Sequence, residues 1–137
     1  MAKAAGIGVY PFNLEVNTSE QPCILMNDGA ARTLCGTSTV NDGNWHLIVG
    51  VRDVLEDVVT LYIDGLRVRY QTDPTTASMV NNDDLSFGNA GAGGYLNNDF
   101  NGQIDDVKIF NYDLSAQQVR NVYNEGALRF GPNEGSP

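Results

Sequence analysis

The segment VVTLYIDGLRVRY, residues 58–70, constrains the fold of this chain more than any other segment. Two runs of alternating apolar and polar residues flank Asp64 and Gly65. An Asp-Gly pair between such runs favours a type I′ turn, which joins two antiparallel strands. Pairing outward from that turn predicts one apolar face and one polar face. The apolar face holds Val59, Leu61, Ile63, Leu66, Val68 and Tyr70, and the polar face holds Thr60, Tyr62, Arg67 and Arg69.

Alternation with a period of two residues recurs along most of the chain. It is present in VYPFNLEVN, where Pro11 indicates an edge strand or a bulge because proline lacks an N–H group. It is present again in NWHLIVGVRD, and shorter strands are predicted in DLSFGN and GQIDDVKIF. The predicted fold class is all-β, an antiparallel β-sandwich of about eight strands. Its core is expected to include Leu47, Val49, Leu61, Val68, Val107 and Ile109.

The pattern changes near the end of the chain, where YDLSAQQVRNVYNEG has helical spacing. Ser115 and Gln118 form an S-x-x-Q capping box, and Gly126 predicts the end of one short C-terminal helix. The length of 137 residues suits a single domain, which we place at residues 1–130. The tail, residues 131–137, is expected to be flexible.

The charge balance excludes two classes of partner. The chain has 17 Asp and Glu against 8 Lys and Arg, and its net charge is −9. Such a chain repels the phosphates of nucleic acids and the anionic surfaces of membranes. No run of apolar residues is long enough to cross a bilayer. We therefore expect no nucleic-acid partner and no membrane insertion.

The two cysteines, Cys23 and Cys35, lie in PCILMNDGAARTLCG, which reads as a hairpin centred on Gly29. Folding the chain there places the two cysteines opposite each other on neighbouring strands, within reach of a disulfide. The alternative is that both are small buried apolar residues without a bond. An extracellular location would favour the disulfide, because oxidising compartments preserve such bonds.

Asp105 stands out in the last predicted strand. Side chains alternate between the two faces of a strand, so Asp105 shares a face with Val107 and Ile109, while Asp106 and Lys108 face water. Asp105 is therefore expected to point inward at the edge of the core. A buried carboxylate must be paired, hydrogen-bonded or bound to a metal.

The order and spacing of these segments resemble the laminin G-like, concanavalin A-like jelly-roll modules, especially their bacterial subgroup. The resemblance rests on NDGNWHLIVGVRD, TLYIDGLRV, LSFGN and FNGQIDDVKIFNYDLSAQQVRNVYNEG. It covers residues 40–126 well and residues 8–39 loosely. Compared with the family, the first strands are expected to be lacking, so we expect the chain to be a fragment, a minimal variant or a protomer completed by another chain. An open sheet edge would then permit homo-oligomers.

The resemblance implies a location outside the cell or at its surface. It implies a non-catalytic binding or adhesion module, with a glycan or a cell-surface protein as its partner. One alternative is a structural or assembly protein that pairs through its sandwich edge, and another is an accessory domain of a glycoside-active enzyme. The resemblance also implies that Asp105 helps to hold a structural Ca²⁺, and the alternative of equal weight is that Asp105 accepts backbone N–H groups without a metal.

Catalytic residues are not predicted. His46 is the single histidine, and Asp105 and Asp106 point to opposite faces of their predicted strand, so they cannot flank one bond together. Trp45 begins the apolar row of Leu47, Val49 and Val51, which favours core packing over sugar stacking.

Ligand binding is predicted in the Gly-rich loop before the last strand. Tyr95 with Asn97, Asn98 and Asp99 would form a polar, aromatic rim that suits a sugar, and the alternative is a solvated loop. Arginines on the outward face form a second candidate, a cationic patch that either meets an acidic glycan or balances the local charge. The patch would consist of Arg52, Tyr62, Arg67 and Arg69.

Overall fold

The computed structural model describes residues 11–28, 31–73, 75, 85–88 and 99–130, with side chains as far as residue 126. Its strands form two antiparallel three-stranded sheets, in the orders β1-β2-β3 and β4-β5-β6, and one helix follows them. The elements are β1 (Phe12–Val16), β2 (Pro22–Met26), β3 (Arg32–Cys35), β4 (Ile48–Asp53), β5 (Val58–Ile63), β6 (Leu66–Thr72) and α1 (Ala116–Phe130). The predicted fold class, a mostly β sandwich with one C-terminal helix, is confirmed.

The main core lies between the two sheets. Ile24, Met26 and Leu34 of the first sheet pack against Val59 and Leu61 of the second. Leu61 is fully buried at the centre of this cluster. Removal of these apolar side chains from water is the main force that holds the sheets together.

A second cluster covers the opposite face of the second sheet. Helix α1 and the residue before its cap supply Val119 and Leu114, which pack against Val51 of β4 and Tyr62 of β5. The middle strand β5 is therefore buried on both faces, since Leu61, Tyr62 and Ile63 are all buried. The alternation along β5 therefore does not separate buried side chains from exposed ones, because helix α1 covers the face that points away from the first sheet.

Gly50 lets the two sheets approach each other closely. A Cβ atom at Gly50 would lie 2.0 Å from Cδ1 and 3.0 Å from Cγ1 of Ile24, which is itself buried. Gly50→Ala should therefore lower the free energy of unfolding by about 1–3 kcal/mol, because the packed sheets must separate or Ile24 must leave its rotamer. Chemical denaturation measures this change.

A matched control for Gly50→Ala is Gly126→Ala in helix α1, because among the described residues no heavy atom outside the helix backbone lies within 4 Å of its Cβ position. Alanine there should stabilise the helix by up to about 1 kcal/mol. A Gly50→Ala variant that is as stable as the parent chain would contradict the close approach of the sheets.

The predicted hairpin turn is present, but a bulge shifts the strand that follows it. Asp64 and Gly65 have φ of 51° and 77°, and both must be positive in a type I′ turn. The register shifts next to the turn, so Leu61 pairs with Arg69 instead of Val68, and Thr60 pairs with Tyr70. The predicted burial of Val68 is wrong, because this side chain is 37 % exposed.

The cysteine hairpin has the predicted register. Cys23 is paired with Cys35 and Leu25 with Thr33 in the antiparallel ladder of β2 and β3. The structure joins the two cysteines in a disulfide that closes a segment with a sequence separation of 12. Cys23 is fully buried.

Two predicted strands are absent from the described residues. Residues 85–88 and 102–110 have no strand assignment. Asp106 has φ of 51°, a left-handed conformation that interrupts the extended backbone at that residue. The expected burial of Val107 and Ile109 is therefore wrong, and these side chains are 50 % and 62 % exposed. Leu47 and Val49 are half-buried.

Helix α1 begins as predicted and ends later. The backbone N–H of Ser115 donates to Oε1 of Gln118 at 2.8 Å, and the N–H of Gln118 donates to Oγ of Ser115 at 3.3 Å. These two bonds form the reciprocal capping box. The helix continues through Gly126 to Phe130, because glycine inside a helix costs only about 1 kcal/mol. The predicted stop at Gly126 is wrong, and the tail 131–137 lies outside the described residues.

Candidate functional site

A cleft of about 420 Å³ opens on the helix-covered face of the second sheet. Thr60 and Tyr62 of β5 and Arg67 of β6 line it from the sheet. Residues 113–116, at the start of helix α1, line it from the other side. The end of β4 contributes Asp53 and the β4–β5 connection contributes Glu56, so the cleft combines apolar walls with several polar groups, as ligand sites do.

The bulge in β6 places an exposed aromatic ring beside this cleft. Tyr62 pairs with Arg67 and Thr60 pairs with Tyr70, so Arg67 and Tyr70 lie on the same face although they are three residues apart. Cζ of Arg67 lies 4.9 Å from the centroid of the Tyr70 ring, a cation–π contact that holds the ring. Tyr70 is 63 % exposed and offers an apolar ring face to a ligand.

Tyr62 brings a hydroxyl group to the cleft without a partner. The residue is only 6 % exposed because α1 covers its ring, and it still lines the cleft. Within the described part of the chain no hydrogen bond is made by this hydroxyl. No buried side-chain oxygen of the described residues lacks a hydrogen-bond partner, so this hydroxyl is accessible to solvent and can donate to or accept from a molecule in the cleft.

The loop that carries Glu56 is held in place by Asp53. Oδ1 of Asp53 accepts the backbone N–H groups of Leu55 and Glu56, each at 3.0 Å. These bonds fix the short connection between β4 and β5, which carries one edge of the cleft. The position of the Glu56 backbone therefore does not depend on a ligand.

His46 contacts two aspartates, Asp42 and Asp64, and Asp64 belongs to the hairpin turn. Its Nδ1 lies 2.8 Å from Oδ2 of Asp64, and its Nε2 lies 2.9 Å from Oδ1 of Asp42. Burial alone would lower the pKa of His46, but the hydrogen bonds that its ring donates to Asp64 and Asp42 raise it above its ordinary value. Hydrogen bonds from Asn44, followed by the bond to His46, lower the pKa of Asp42 to about 2. Both ring nitrogens are engaged, so this histidine connects two loops.

The predicted cationic patch does not form. Arg52 donates from Nε to Oδ2 of the buried Asp73, and its Nη2 donates to the carbonyl oxygen of Thr75 at 3.0 Å. Arg69 pairs with Leu61, which faces the opposite sheet. Arg67 therefore remains as the cation beside Tyr62, and the bulge in β6 explains why Arg69 is not beside it.

The comparison with protein families agrees with this architecture. A laminin G-type family model, described as the concanavalin A-like lectin/glucanases superfamily, matches residues 2–120. The chain belongs to this superfamily. No curated protein matches the chain significantly.

One solved structure is similar to this member of the superfamily. It is the crystal structure of residues 221–444 of an S-layer domain-containing protein from Clostridium thermocellum ATCC 27405. The two chains share 17 % sequence identity with a TM-score of 0.43, and the match covers 90 % of this chain and 68 % of that one.

Asp105 does not have the orientation that was predicted for it in the superfamily chain. Its side chain is exposed, and its Oδ1 accepts the backbone N–H of Asp106 at 2.7 Å. The left-handed Asp106 disrupts the alternation on which the inward orientation depended. Among the described residues there is no group of three or more His, Cys, Asp or Glu that fits a metal ion. The described surroundings of Asp105 therefore do not make a Ca²⁺ cage, and calcium binding stays a prediction.

The other predicted site residues have separate outcomes. Tyr95, Asn97 and Asn98 lie outside the described residues, and Asp99 is exposed. Trp45 is 49 % exposed, so its predicted place in the core is wrong. Strand β4 begins only at Ile48, and Trp45 therefore precedes the strand instead of opening it. Over the described residues, no helix is long and apolar enough to span a membrane.

Proposed function

We propose that the chain is a non-catalytic, extracellular binding module that takes a carbohydrate into the cleft beside Tyr70. The observation that carries this proposal is the exposed Tyr70 ring, held by Arg67 next to a cleft that Tyr62 lines. The superfamily, whose description includes lectins and glucanases, supports the same class of ligand. The disulfide supports a location outside the cytoplasm, where such bonds persist.

The polar groups of the cleft suit the hydroxyl groups of a sugar. The hydroxyls of Thr60 and Tyr62 can donate or accept, the guanidinium of Arg67 donates, and the carboxylates of Asp53 and Glu56 accept. The ring of Tyr70 can stack on the apolar C–H face of a pyranose. A sugar in this site would bind by hydrogen bonds and stacking, with no residue assigned to bond cleavage.

Tyr70→Ala should weaken glycan binding by about tenfold, because it removes the stacking surface and the partner that orders Arg67. The experiment is a glycan array with the parent chain, followed by calorimetric titration of the best ligand against both proteins. Phe12→Ala is the matched control, since Phe12 is a 49 % exposed aromatic residue in the other sheet. Equal affinity of parent chain and Tyr70→Ala would reject the cleft as the site.

A second candidate function is assembly through the edge of the second sheet. Among the described strands β6 pairs only with β5, and it exposes Leu66 and Val68 by 65 % and 37 %. Such an edge can pair with another chain. Sedimentation at two concentrations separates the candidates, because an assembly protein associates as its concentration rises and a monomeric glycan-binding module does not. A cell-surface protein partner and a role beside a glycoside-active enzyme remain alternatives to the glycan.

A further inference from the structure

The imidazole of His46 lies between carboxylates from two separate segments of the chain. Its Nδ1 lies 2.8 Å from Oδ2 of Asp64, in the turn between β5 and β6, and its Nε2 lies 2.9 Å from Oδ1 of Asp42, in the loop before β4. An ionised carboxylate only accepts hydrogen bonds, and a neutral imidazole has one N–H group where an imidazolium has two. Both contacts are therefore hydrogen bonds only when His46 is protonated.

The two carboxylates differ in what else holds them. Oδ1 of Asp64 also accepts the backbone N–H of Leu47 at 3.0 Å, and the backbone N–H of Asp64 donates to the carbonyl oxygen of Leu47 at 2.9 Å. These two bonds keep Asp64 beside His46 whatever the charge of the ring. Asp42 accepts a bond from within its own loop, the backbone N–H of Asn44 at 2.9 Å, and its side chain is 50 % exposed. Asp42 can therefore turn to water when His46 no longer donates to it.

The surroundings of His46 favour the protonated ring. Burial lowers its pKa, but the hydrogen bonds and the charges of Asp64 and Asp42 together raise the pKa above the ordinary value. Helix α1 reaches the same turn through the phenol ring of Tyr123, which packs against Gly65. A raised pKa means that the folded contact is fully present below the pKa of the unfolded chain and is lost as the pH rises through the folded pKa. Asp42, whose pKa is lowered to about 2, stays ionised over that range.

We propose that protonation of His46 attaches the loop of residues 42–46 to the turn between β5 and β6, and that loss of this proton releases the loop. The neutral ring keeps its Nδ1–H bond to Asp64, so the lone pair of Nε2 faces the ionised Asp42 and repulsion replaces the second bond. The loop carries Trp45, which is 49 % exposed, so release changes how a large aromatic side chain is presented. This device is separate from the proposed carbohydrate cleft, whose lining among the described residues includes none of this loop.

The chain contains one reporter for each half of the device, because it has a single histidine and a single tryptophan. Proton NMR follows the ring signals of His46, and their titration midpoint should lie above about 6.5, the ordinary value for histidine. Acrylamide, an uncharged quencher, follows the exposure of Trp45 by fluorescence. Between about pH 5 and about pH 9 the quenching constant should rise by up to about twofold, since Trp45 is 49 % exposed in the attached loop. The rise should have the same midpoint as the titration of His46.

Variants identify the groups that are responsible. Asp42→Asn keeps the shape of the side chain and removes its charge, so the midpoint of His46 should fall and the quenching of Trp45 should no longer depend on pH. His46→Gln removes the titrating group and should be equally insensitive to pH. Asp57→Asn is the matched control, because Asp57 is an exposed aspartate in the β4–β5 connection, at the other end of β5 from Asp64. Asparagine tolerates the φ of 52° at this position, so the control should titrate like the parent chain.

Thermal melts verify that each variant is folded, and the remaining outcomes decide the proposal. A midpoint of His46 at or below about 6.5 in the parent chain would overturn it, because the two carboxylates would not hold the proton. Constant quenching of Trp45 while His46 titrates would overturn it as well, since the loop would stay attached without the proton. A pH-dependent change in quenching that persists in His46→Gln or in Asp42→Asn would assign the movement to another group and reject the device.

Discussion

Arg52→Leu is expected to lower the free energy of unfolding by about 3–5 kcal/mol, as removal of one partner of a buried ion pair does. The side chain of Asp73 is 1 % exposed, and Nε of Arg52 donates to its Oδ2. Thr75 donates to Oδ1 of Asp73 from its backbone N–H at 3.0 Å and also from its hydroxyl. Without Arg52 the carboxylate stays buried with two hydrogen bonds and no positive charge. Urea denaturation at about pH 7 measures the loss.

The pH dependence of the same variant tests the reason for its instability. Burial alone would raise the pKa of Asp73, but hydrogen bonds from Arg52 and Thr75 lower it below the ordinary value. A lowered pKa contributes stability above the pKa of the unfolded chain, and this contribution is lost as the pH falls through the folded pKa. In Arg52→Leu the pKa of Asp73 should rise, so the difference from the parent chain should become smaller in acid.

Arg69→Leu is the control for Arg52→Leu. Arg69 lies on the exposed strand β6 and has no hydrogen bond or ion pair among the described residues, so its replacement should change stability by less than about 0.5 kcal/mol. If Arg52→Leu were as mild as this control at neutral pH, Asp73 would not need its counter-charge and the buried network would have little energetic importance.

The sequence predicts those features that depend on neighbouring residues. An Asp-Gly pair such as Asp64-Gly65 favours a hairpin turn with positive φ at both residues. The capping box of Ser115 and Gln118 is defined by the spacing of these two residues. The pairing of Cys23 with Cys35 follows from the turn between them. In each case the decisive interactions are local in the chain or lie within one hairpin.

The sequence does not predict where the alternation is interrupted. LRVRY alternates without a glycine, and yet a bulge next to the turn moves Tyr70 to the face of Thr60. One extra residue in a strand reverses the facing of every residue after it. The assignment of Tyr70 to the apolar face of the hairpin and the omission of the Tyr70–Arg67 pair from the candidate site have this single cause. The left-handed backbone of Asp106 likewise interrupts the alternation from which the inward orientation of Asp105 was predicted.

Contacts between distant elements are also beyond the sequence pattern. Arg52 and Asp73 are 21 residues apart, and no periodicity connects them. Gly50 indicates only that a strand position lacks a side chain, which a bulge or a close approach explains equally well. The structure identifies the close approach because Ile24 of the other sheet occupies the space.

Reduction of the disulfide between Cys23 and Cys35 is expected to lower the free energy of unfolding by about 3 kcal/mol. The bond closes a short hairpin, with a sequence separation of 12, and restricts the unfolded chain more than the folded one, in which β2 and β3 already hold the cysteines opposite each other. For a domain of this size the melting temperature should fall on the order of 10 °C in the presence of a reductant.

The double variant Cys23→Ala and Cys35→Ala separates the effect of the bond from other effects of the reductant. It lacks the bond under all conditions, so its melting temperature should be low and should not respond to reductant. Counting free thiols in the denatured parent chain shows whether the bond is present before reduction. Two free thiols in protein from an oxidising compartment would contradict the bond and remove its support for an extracellular location. A parent chain that keeps its melting temperature after complete reduction would instead show that the ladder of β2 and β3 stabilises the hairpin without the disulfide.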